Sequence, residues 1–264
     1  MDLAASLLEL AVAVATEAGD LLLLRLHQAR AEVGTKSSLT DMVTEMDRAA
    51  EELAVARLLA ARPDDGVVGE EGSHRAGTSG VRWIVDPIDG TTNYLYRMPG
   101  FAVSVAAEVD GVVVAGVVVD PSHGEVFTAT RGGGARCNGE RVTASAAAAL
   151  PSALVGTGFS YDPLRRRRQA AVLTQVLPCV RDIRRHGAAS VDLCWTACGR
   201  FDAYYERGLQ PWDLAAGALV ATEAGALVGD LDGGPPSPAF VLAAAPAIFE
   251  PLRSLLASAG AGAA

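Results

Sequence analysis

The strongest constraint on the fold is a pair of β-rich runs joined by a two-residue turn. The runs cover residues 101–109 and 112–119, and Asp110-Gly111 separates them. Asp-Gly between two such runs is the strongest short-range signal for a β-hairpin. A third β-rich run, Glu125–Thr130, follows closely. The first half of the chain is therefore predicted to contain an antiparallel sheet.

Two helices are predicted before this sheet. The segment Leu3–Leu26 carries apolar residues at helical spacing, and charged residues interrupt it. It is therefore predicted to be an amphipathic core helix, because it is too charged to span a bilayer. After a loop or small hairpin over residues 32–43, a second helix is predicted from Thr44 to Arg62, and Pro63 closes it.

The second half of the chain has a different pattern, in which helices alternate with strands. Helices are predicted at residues 163–177, 190–198, 213–224 and 247–257, and strands at 201–206, 226–230 and 240–244. An alanine-rich connector at 144–149 is the candidate lobe boundary, so residues 1–145 and 146–264 are expected to pack as two lobes of one catalytic unit. The expected fold class is α+β or α/β, with an antiparallel sheet lobe followed by a mixed α/β lobe.

Composition excludes several classes of protein. Half of the 264 residues are hydrophobic and a fifth are charged, which excludes a disordered chain. The net charge is −9, so the chain is a poor candidate for binding nucleic acid or an anionic membrane non-specifically. The four cysteines form no C-x-x-C pair, and Asp2 replaces the basic start of a signal peptide. These features predict a cytoplasmic protein in a reducing compartment.

Two acids around a tight turn indicate a candidate functional site. An apolar strand at residues 81–86 ends in Asp86, and Pro87 is expected to break it before Asp89-Gly90. Three residues of turn can bring the two carboxylates together, and at about 4 Å they would repel by about 4 kcal/mol at an effective dielectric constant of about 20. Hard divalent cations, above all Mg²⁺ beside a phosphate, relieve such repulsion. The alternative is a pair of ordinary turn acids.

Three motifs together resemble the inositol monophosphatase family. They are Gly69-Glu70-Glu71, the run WIVDPIDGTTN at residues 83–93, and Trp212-Asp213-x-Ala215-Ala216-Gly217 followed by Glu223-Ala224-Gly225. The resemblance implies a layered αβαβα sandwich and Mg²⁺-dependent hydrolysis of a small phosphate monoester. It also implies inhibition by lithium and, commonly, a homodimer. One departure is Ala226, where the family often has a second glycine.

The resemblance also implies a set of metal ligands. Glu70, Asp86 and the carbonyl of Ile88 would hold one Mg²⁺. Asp86, Asp89 and Asp213 would hold a second, and Glu70 would help to position a loosely held third. Two to three Mg²⁺ ions are therefore expected at the site.

Catalytic and phosphate-binding roles follow from the same resemblance. Glu70 and the Thr91 hydroxyl would orient and deprotonate the attacking water, and Asp47 would hydrogen-bond Thr91. The backbone amides of Gly90 and Thr91, with Lys36, would bind the phosphate. The alternatives are a helix cap for Asp47 and an ordinary surface position for Lys36.

The substrate's alcohol is expected to meet Asp89, Ala189, Glu206 and Asp213, with Glu206 accepting hydrogen bonds from ring hydroxyls. The alternatives are a solvated strand-end acid for Glu206 and a simple N-cap before a helix for Asp213. The basic run Arg165–Arg168 is interpreted as a solvated helix face.

The leading hypothesis is hydrolysis of inositol monophosphate to inositol and phosphate. Histidinol phosphate, fructose bisphosphate and 3′-phosphoadenosine phosphates are alternative substrates within the wider superfamily. A second alternative is a regulatory partner of the transcription machinery, as some bacterial members of the family are. No nucleic acid or membrane partner is expected by default.

Overall fold

The computed structural model describes residues 2–26, 33–35 and 42–263. In chain order the helices α1 to α7 within these ranges are Leu3–Arg25, Glu45–Ala61, Thr91–Tyr96, Pro163–Val176, Ala189–Ala197, Pro211–Glu223 and Pro246–Ser258. The strands β1 to β15 are Val33–Thr35, Met42–Thr44, Gly66–Gly69, His74–Arg75, Val81–Asp89, Ala102–Val109, Val112–Asp120, Glu125–Thr130, Gly134–Cys137, Glu140–Arg141, Leu154–Thr157, Asp182–Arg184, Ala203–Glu206, Leu227–Gly229 and Val241–Ala244.

The large sheet has eight strands in the order β10-β9-β8-β7-β6-β5-β3-β4. It is antiparallel except where β3 runs parallel to β5. Asp110 and Gly111 join β6 to β7 with φ angles of 49° and 84°, and Val109 lies opposite Val112. The positive φ angles are those that a two-residue hairpin turn requires, so the predicted hairpin is confirmed.

The second sheet is smaller and mixed. Its order is β12-β11-β13-β15-β14, and β11 runs parallel to both of its neighbours. The other pairs are antiparallel. This arrangement confirms that a mixed sheet follows the antiparallel one.

Helices and sheets alternate in five layers. Helices α1 and α2 cover one face of the large sheet through a core that includes Leu7 and Val105. The other face packs on α5 and α6, where Leu193 and Leu219 meet Ile84 and residues of the small sheet. Helices α4 and α7 cover the outer face of the small sheet, with Leu252 buried between them and the sheet. The αβαβα sandwich is therefore confirmed.

Strand β5 does not end where the sequence predicted. It continues through Pro87 to Asp89, so the prediction that Pro87 breaks the strand is wrong. The register with β6 shifts between Asp86, opposite Ser104, and Asp89, opposite Ala102. Pro87 has no N–H to donate and lies within this irregular stretch, so the strand passes it without losing a regular ladder bond.

None of the helices in the described ranges combines the length and hydropathy that a bilayer crossing requires. Residues from both halves of the chain meet in the core between the two sheets. The division into lobes near residue 145 stays a prediction.

Candidate active site

Gly90 forms the turn between β5 and α3. Its φ angle is 89°, in the left-handed region. A Cβ atom there would lie 2.9 Å from the carbonyl oxygen of Gly100 and 3.2 Å from the Cβ of Ala188. Glycine is therefore required for both its conformation and its lack of a side chain. The turn places Asp89 and Thr91 side by side at the wall of a cavity.

The cavity has a volume of about 240 Å³ and is lined by residues from both halves of the chain. Its lining includes ten of the residues that the sequence singled out, namely Asp47, Glu70, Asp86, Ile88, Asp89, Gly90, Thr91, Ala189, Glu206 and Asp213. Lys36 lies outside the described residues. The cavity is also lined by residues that the sequence analysis did not assign to the site, namely Glu71, Thr92, Phe159, Ser160, Tyr161, Arg165, Arg185, Gly187, Arg207, Gly208 and Leu209.

Asp86 is the most confined acid of the cavity, with 1% of its surface exposed. Its Oδ1 accepts a hydrogen bond of 3.0 Å from the backbone N–H of Ile88. Its Oδ2 is buried and has no hydrogen-bond partner among the described residues. Burial raises the pKa of Asp86 well above its ordinary value, and the nearby charges of Glu70 and Asp89 raise it further.

Asp89 is held by the beginning of helix α5. Its Oδ2 accepts hydrogen bonds from the backbone N–H and the hydroxyl of Ser190, both at 2.6 Å. Burial raises the pKa of Asp89, and the two Ser190 hydrogen bonds act against that rise because they stabilise the carboxylate. Ser190 was not predicted, because no local pattern reveals a contact between residues 101 positions apart.

Asp213 lies inside the first turn of α6. The helix begins at Pro211, two residues before its predicted start, so the alternative that Asp213 is an N-cap before the helix is wrong. Proline is favoured at this first position because its missing N–H has no helical partner. The Oδ2 of Asp213 accepts a hydrogen bond of 2.6 Å from the backbone N–H of Gln210. Asp213 thus caps its helix and lines the cavity, and burial and the charge of Asp89 raise its pKa.

A buried glutamate on α2 fixes the loop that carries Glu70. The Oε2 of Glu51 accepts a hydrogen bond of 2.8 Å from the backbone N–H of Glu71, and its Oε1 accepts one of 2.9 Å from Ser73. A Cβ atom at Gly69 would lie 2.3 Å from the Glu51 carboxylate, so only glycine leaves room for it. No local sequence pattern indicated that Glu51 anchors this motif.

Thr91 lies on α3 and Asp47 lies on α2, and both line the cavity. The Thr91 hydroxyl donates a hydrogen bond of 3.0 Å to the carbonyl oxygen of Ile88. Asp47 is buried on α2, and its charge contributes to the raised pKa of Asp86. The predicted role of Asp47 toward Thr91 stays a prediction.

Glu206 ends β13 and faces the cavity. Its Oε2 accepts a hydrogen bond of 2.6 Å from the hydroxyl of Tyr204. Burial raises the pKa of Glu206 to about 7, against the smaller lowering by the Tyr204 hydroxyl. Glu206 is therefore not simply a solvated acid at a strand end.

Arg165 corrects the interpretation of the basic run. Arg166 to Arg168 are exposed as expected, but Arg165 is half-buried and lines the cavity. It precedes the buried helix residues Gln169, Val172 and Val176 by four, seven and eleven positions, so it shares their face of α4. That spacing was the signal that could have identified Arg165.

The chemistry of these acids suits a hard divalent cation, because every donor is an oxygen atom and Asp86 Oδ2 has no partner within the described ranges. In the described part of the chain, no ion pair links an arginine or lysine to Asp86, Asp89 or Asp213. The described carboxylates are not already gathered into a cluster with metal-binding geometry.

Comparisons with known proteins identify relatives of this chain. The model of the inositol monophosphatase family matches residues 3–260. The inositol-1-monophosphatase of Mycobacterium leprae is 48% identical over 235 residues, which cover 85% of this chain and 81% of the relative. A protein named Nus factor SuhB from Pseudomonas aeruginosa is 42% identical over 237 residues, which cover 86% of each chain.

Solved structures share the fold. The extragenic suppressor protein suhB from Bartonella henselae superposes with a TM-score of 0.91 at 38% identity, covering 95% of this chain and 98% of the other. Mycobacterium tuberculosis SuhB superposes with a TM-score of 0.83 at 40% identity and covers 97% of each chain.

Proposed function

Because the chain belongs to the inositol monophosphatase family, and is therefore a phosphoric monoester hydrolase, we propose that it hydrolyses a small phosphate monoester with Mg²⁺ as its cofactor. Inositol monophosphate is the leading substrate. The observation that carries the proposal is the cavity wall formed by Glu70, Asp86, Asp89 and Asp213, in which Asp86 has a buried and unpartnered oxygen. Such acids are tolerated together when cations or protons neutralise them.

Five residues would hold the cofactor. Asp86 would contribute to two Mg²⁺ sites, with Glu70 and the Ile88 carbonyl in one and with Asp89 and Asp213 in the other. Glu70 would also face a third, weaker site. When bound, Mg²⁺ lowers the pKa of a coordinated water and stabilises negative charge on the phosphoryl oxygens.

Other groups of the chain would orient the attacking water and bind the phosphate. Glu70 and the Thr91 hydroxyl would orient the attacking water, and Asp47 would support Thr91 from α2. The backbone amides of Gly90 and Thr91 would bind the phosphate, since the first amides of a helix have no partner within it. A phosphate role for Lys36 stays part of the proposal.

The alcohol of the substrate would lie on the side of the cavity formed by the second half of the chain. Glu206 would accept hydrogen bonds from substrate hydroxyls, beside the small side chain of Ala189, while Asp89 and Asp213 would meet the hydroxyls nearest the phosphate. This lining suits a polyol such as inositol. A substrate bearing an amine, such as histidinol phosphate, would also be attracted to Glu206, so that substrate is the main alternative.

A phosphate-release panel tests the proposal. Inositol 1-phosphate, histidinol phosphate, fructose 1,6-bisphosphate and 3′-phosphoadenosine 5′-phosphate are compared in Mg²⁺, in EDTA, and in Mg²⁺ with lithium. We expect release that requires Mg²⁺, is inhibited by lithium and is fastest for inositol 1-phosphate. Asp89→Asn and Asp213→Asn should abolish it, while Asp232→Asn, which removes an exposed acid outside the cavity, should not. Rapid release in EDTA would contradict the metal assignment.

A second function is suggested by relatives named Nus factor SuhB in Pseudomonas aeruginosa and Escherichia coli. We propose that this chain also associates with the transcription machinery. Pull-down of transcription factors by both the wild-type protein and Asp89→Asn would support a role independent of catalysis. If neither protein captures a transcription factor, the proposed second function is contradicted.

The assembly and location of the protein are further parts of the proposal. A homodimer is expected from the family, and light scattering at micromolar concentration tests it. All four cysteines are free, which is consistent with a cytoplasmic protein.

A further inference from the structure

The cavity is lined by arginines as well as by acids. Arg165, Arg185 and Arg207 all line it, and they come from the first turn of α4, the loop before α5 and the residue after β13. They are less buried than the acids at the end of β5. A ligand in the cavity would therefore meet side chains of both charges.

These arginines do not serve to neutralise the acids at the end of β5. The pKa of Asp86 and that of Asp213 are raised by burial and by neighbouring acids, and no arginine is among the main influences on either. Arg185 does act on Glu206 and Asp192, whose pKa values its charge lowers. The charge of Arg185 is therefore already partly balanced by Glu206 and Asp192.

Arg165 has a guanidinium group without a partner. It forms no hydrogen bond or ion pair with any of the described residues. A Cβ atom at Gly208 would lie 2.4 Å from its Nη1, so the guanidinium packs against that glycine at the cavity wall. Half-burial removes part of its water, and its planar set of N–H donors is available to water or to an acceptor group that enters the cavity.

The segment around Arg165 is held in place. The N–H of Arg165 donates a hydrogen bond of 2.8 Å to Asp162 Oδ1, and Nε of Arg166 donates one of 2.9 Å to the Ser160 carbonyl. The hydroxyls of Tyr161 and Thr92 lie 3.2 Å apart, which links this segment to α3. Arg165 is thus presented from an anchored helix start and not from a loose loop.

We propose that Arg165 binds a second anionic group of the substrate, a phosphate or a carboxylate at the end remote from the ester phosphate that is hydrolysed. This inference rests on the proposed function and extends its substrate class to phosphate esters that carry a second anion. The guanidinium suits this role because its parallel N–H groups match two oxygen atoms of a carboxylate or phosphate. The acids at the end of β5 repel such a group, whereas the guanidinium of Arg165 attracts it.

Matched substrate pairs test the proposal. Fructose 1,6-bisphosphate is compared with fructose 1-phosphate, and 2-phosphoglycerate with glycerol 2-phosphate, so that each pair differs by one phosphate or one carboxylate. For the wild-type protein we expect kcat/KM to favour the doubly anionic member of at least one pair. Arg165→Gln should reduce that preference about ten- to hundredfold, as expected for one lost hydrogen-bonded charge pair.

Arg167→Gln is the matched control, because Arg167 is exposed on the same helix. It should leave kcat/KM for all four compounds unchanged. Loss of preference for the bisphosphate alone identifies a phosphate as the second anion, and loss for 2-phosphoglycerate alone identifies a carboxylate. Hydrolysis with no preference in the wild-type protein, or with a preference that Arg165→Gln retains, overturns the inference and leaves the proposed function intact. Absence of hydrolysis of every phosphate ester overturns both.

Discussion

Removal of one hydroxyl from the start of α5 should weaken Mg²⁺ binding without damaging the fold. Ser190 is fully buried, and its hydroxyl and N–H each donate a 2.6 Å hydrogen bond to Asp89 Oδ2. Ser190→Ala keeps the N–H and removes the hydroxyl. A hydrogen bond to a charged group contributes about 1.5–3 kcal/mol, which corresponds to about a ten- to hundredfold change in apparent Mg²⁺ affinity.

The same substitution should also change the pH dependence of activity. The Ser190 hydroxyl lowers the pKa of Asp89, so its removal raises that pKa further above the ordinary value. More of Asp89 is then protonated at low pH, where it cannot ligate a cation. The Mg²⁺ concentration for half-maximal activity should therefore rise more at pH 6 than at pH 8.

Thr196→Val provides the matched control on the same helix. The Thr196 hydroxyl is also buried, but it donates to the backbone carbonyl of Asp192, a neutral acceptor. The control should leave the Mg²⁺ midpoint at both pH values near that of the wild-type protein. Circular dichroism and thermal unfolding confirm that both variants fold. A Ser190→Ala protein with an unchanged Mg²⁺ midpoint and pH profile would refute the reasoning.

Three other predictions concern buried charge. Asp86→Asn should abolish Mg²⁺-dependent turnover but raise the melting temperature of the EDTA-treated protein, by about 2–4 °C per kcal/mol of relieved repulsion with acids such as Glu70; a lower melting temperature would contradict this. The folded protein holds the Glu206 proton up to about pH 7 while the unfolded chain releases it near 4.5, so wild-type stability should fall by up to about 3 kcal/mol as pH rises between these values. Urea unfolding in EDTA should show this loss relative to Glu206→Gln, and parallel pH curves would count against it. Asp65→Ala should lower the free energy of unfolding by about 3–5 kcal/mol, because Asp65 is buried and its removal leaves the Arg62 guanidinium and the Trp83 Nε1–H without their carboxylate partner. Urea unfolding measures this loss, and a free energy of unfolding equal to that of the wild-type protein would contradict it.

Local sequence patterns predicted much of this fold. Asp110-Gly111 identified the β6–β7 hairpin because the turn depends on the conformations of two adjacent residues. The acids at the end of β5 were identified for a similar reason, since an acid closing an apolar strand is unusual wherever it occurs. Pro87 was misread because the irregular pairing that accommodates it depends on β6 and not on the residues beside it.

What the sequence did not reveal depends on contacts between distant parts of the chain. Ser190 meets Asp89 only after α5 packs behind β5, and Arg165 reaches the cavity only because α4 turns one face inward. A run of four arginines in an acidic chain resembles a solvated surface until the helix phase is known. Contacts such as these are set by tertiary packing, so the positions of Ser190 and Arg165 at the cavity could not be predicted from the motifs alone.

The most direct test of the metal assignment is a crystal structure with Mn²⁺ in place of Mg²⁺, located by anomalous scattering. We predict Mn²⁺ in the cavity, coordinated by carboxylate oxygens of Asp86, Asp89 and Asp213 and accompanied by Glu70, with the Asp86 Oδ2 atom among the ligands. Mn²⁺ bound elsewhere, or a cavity free of Mn²⁺ in a protein that still hydrolyses phosphate esters, would contradict the account.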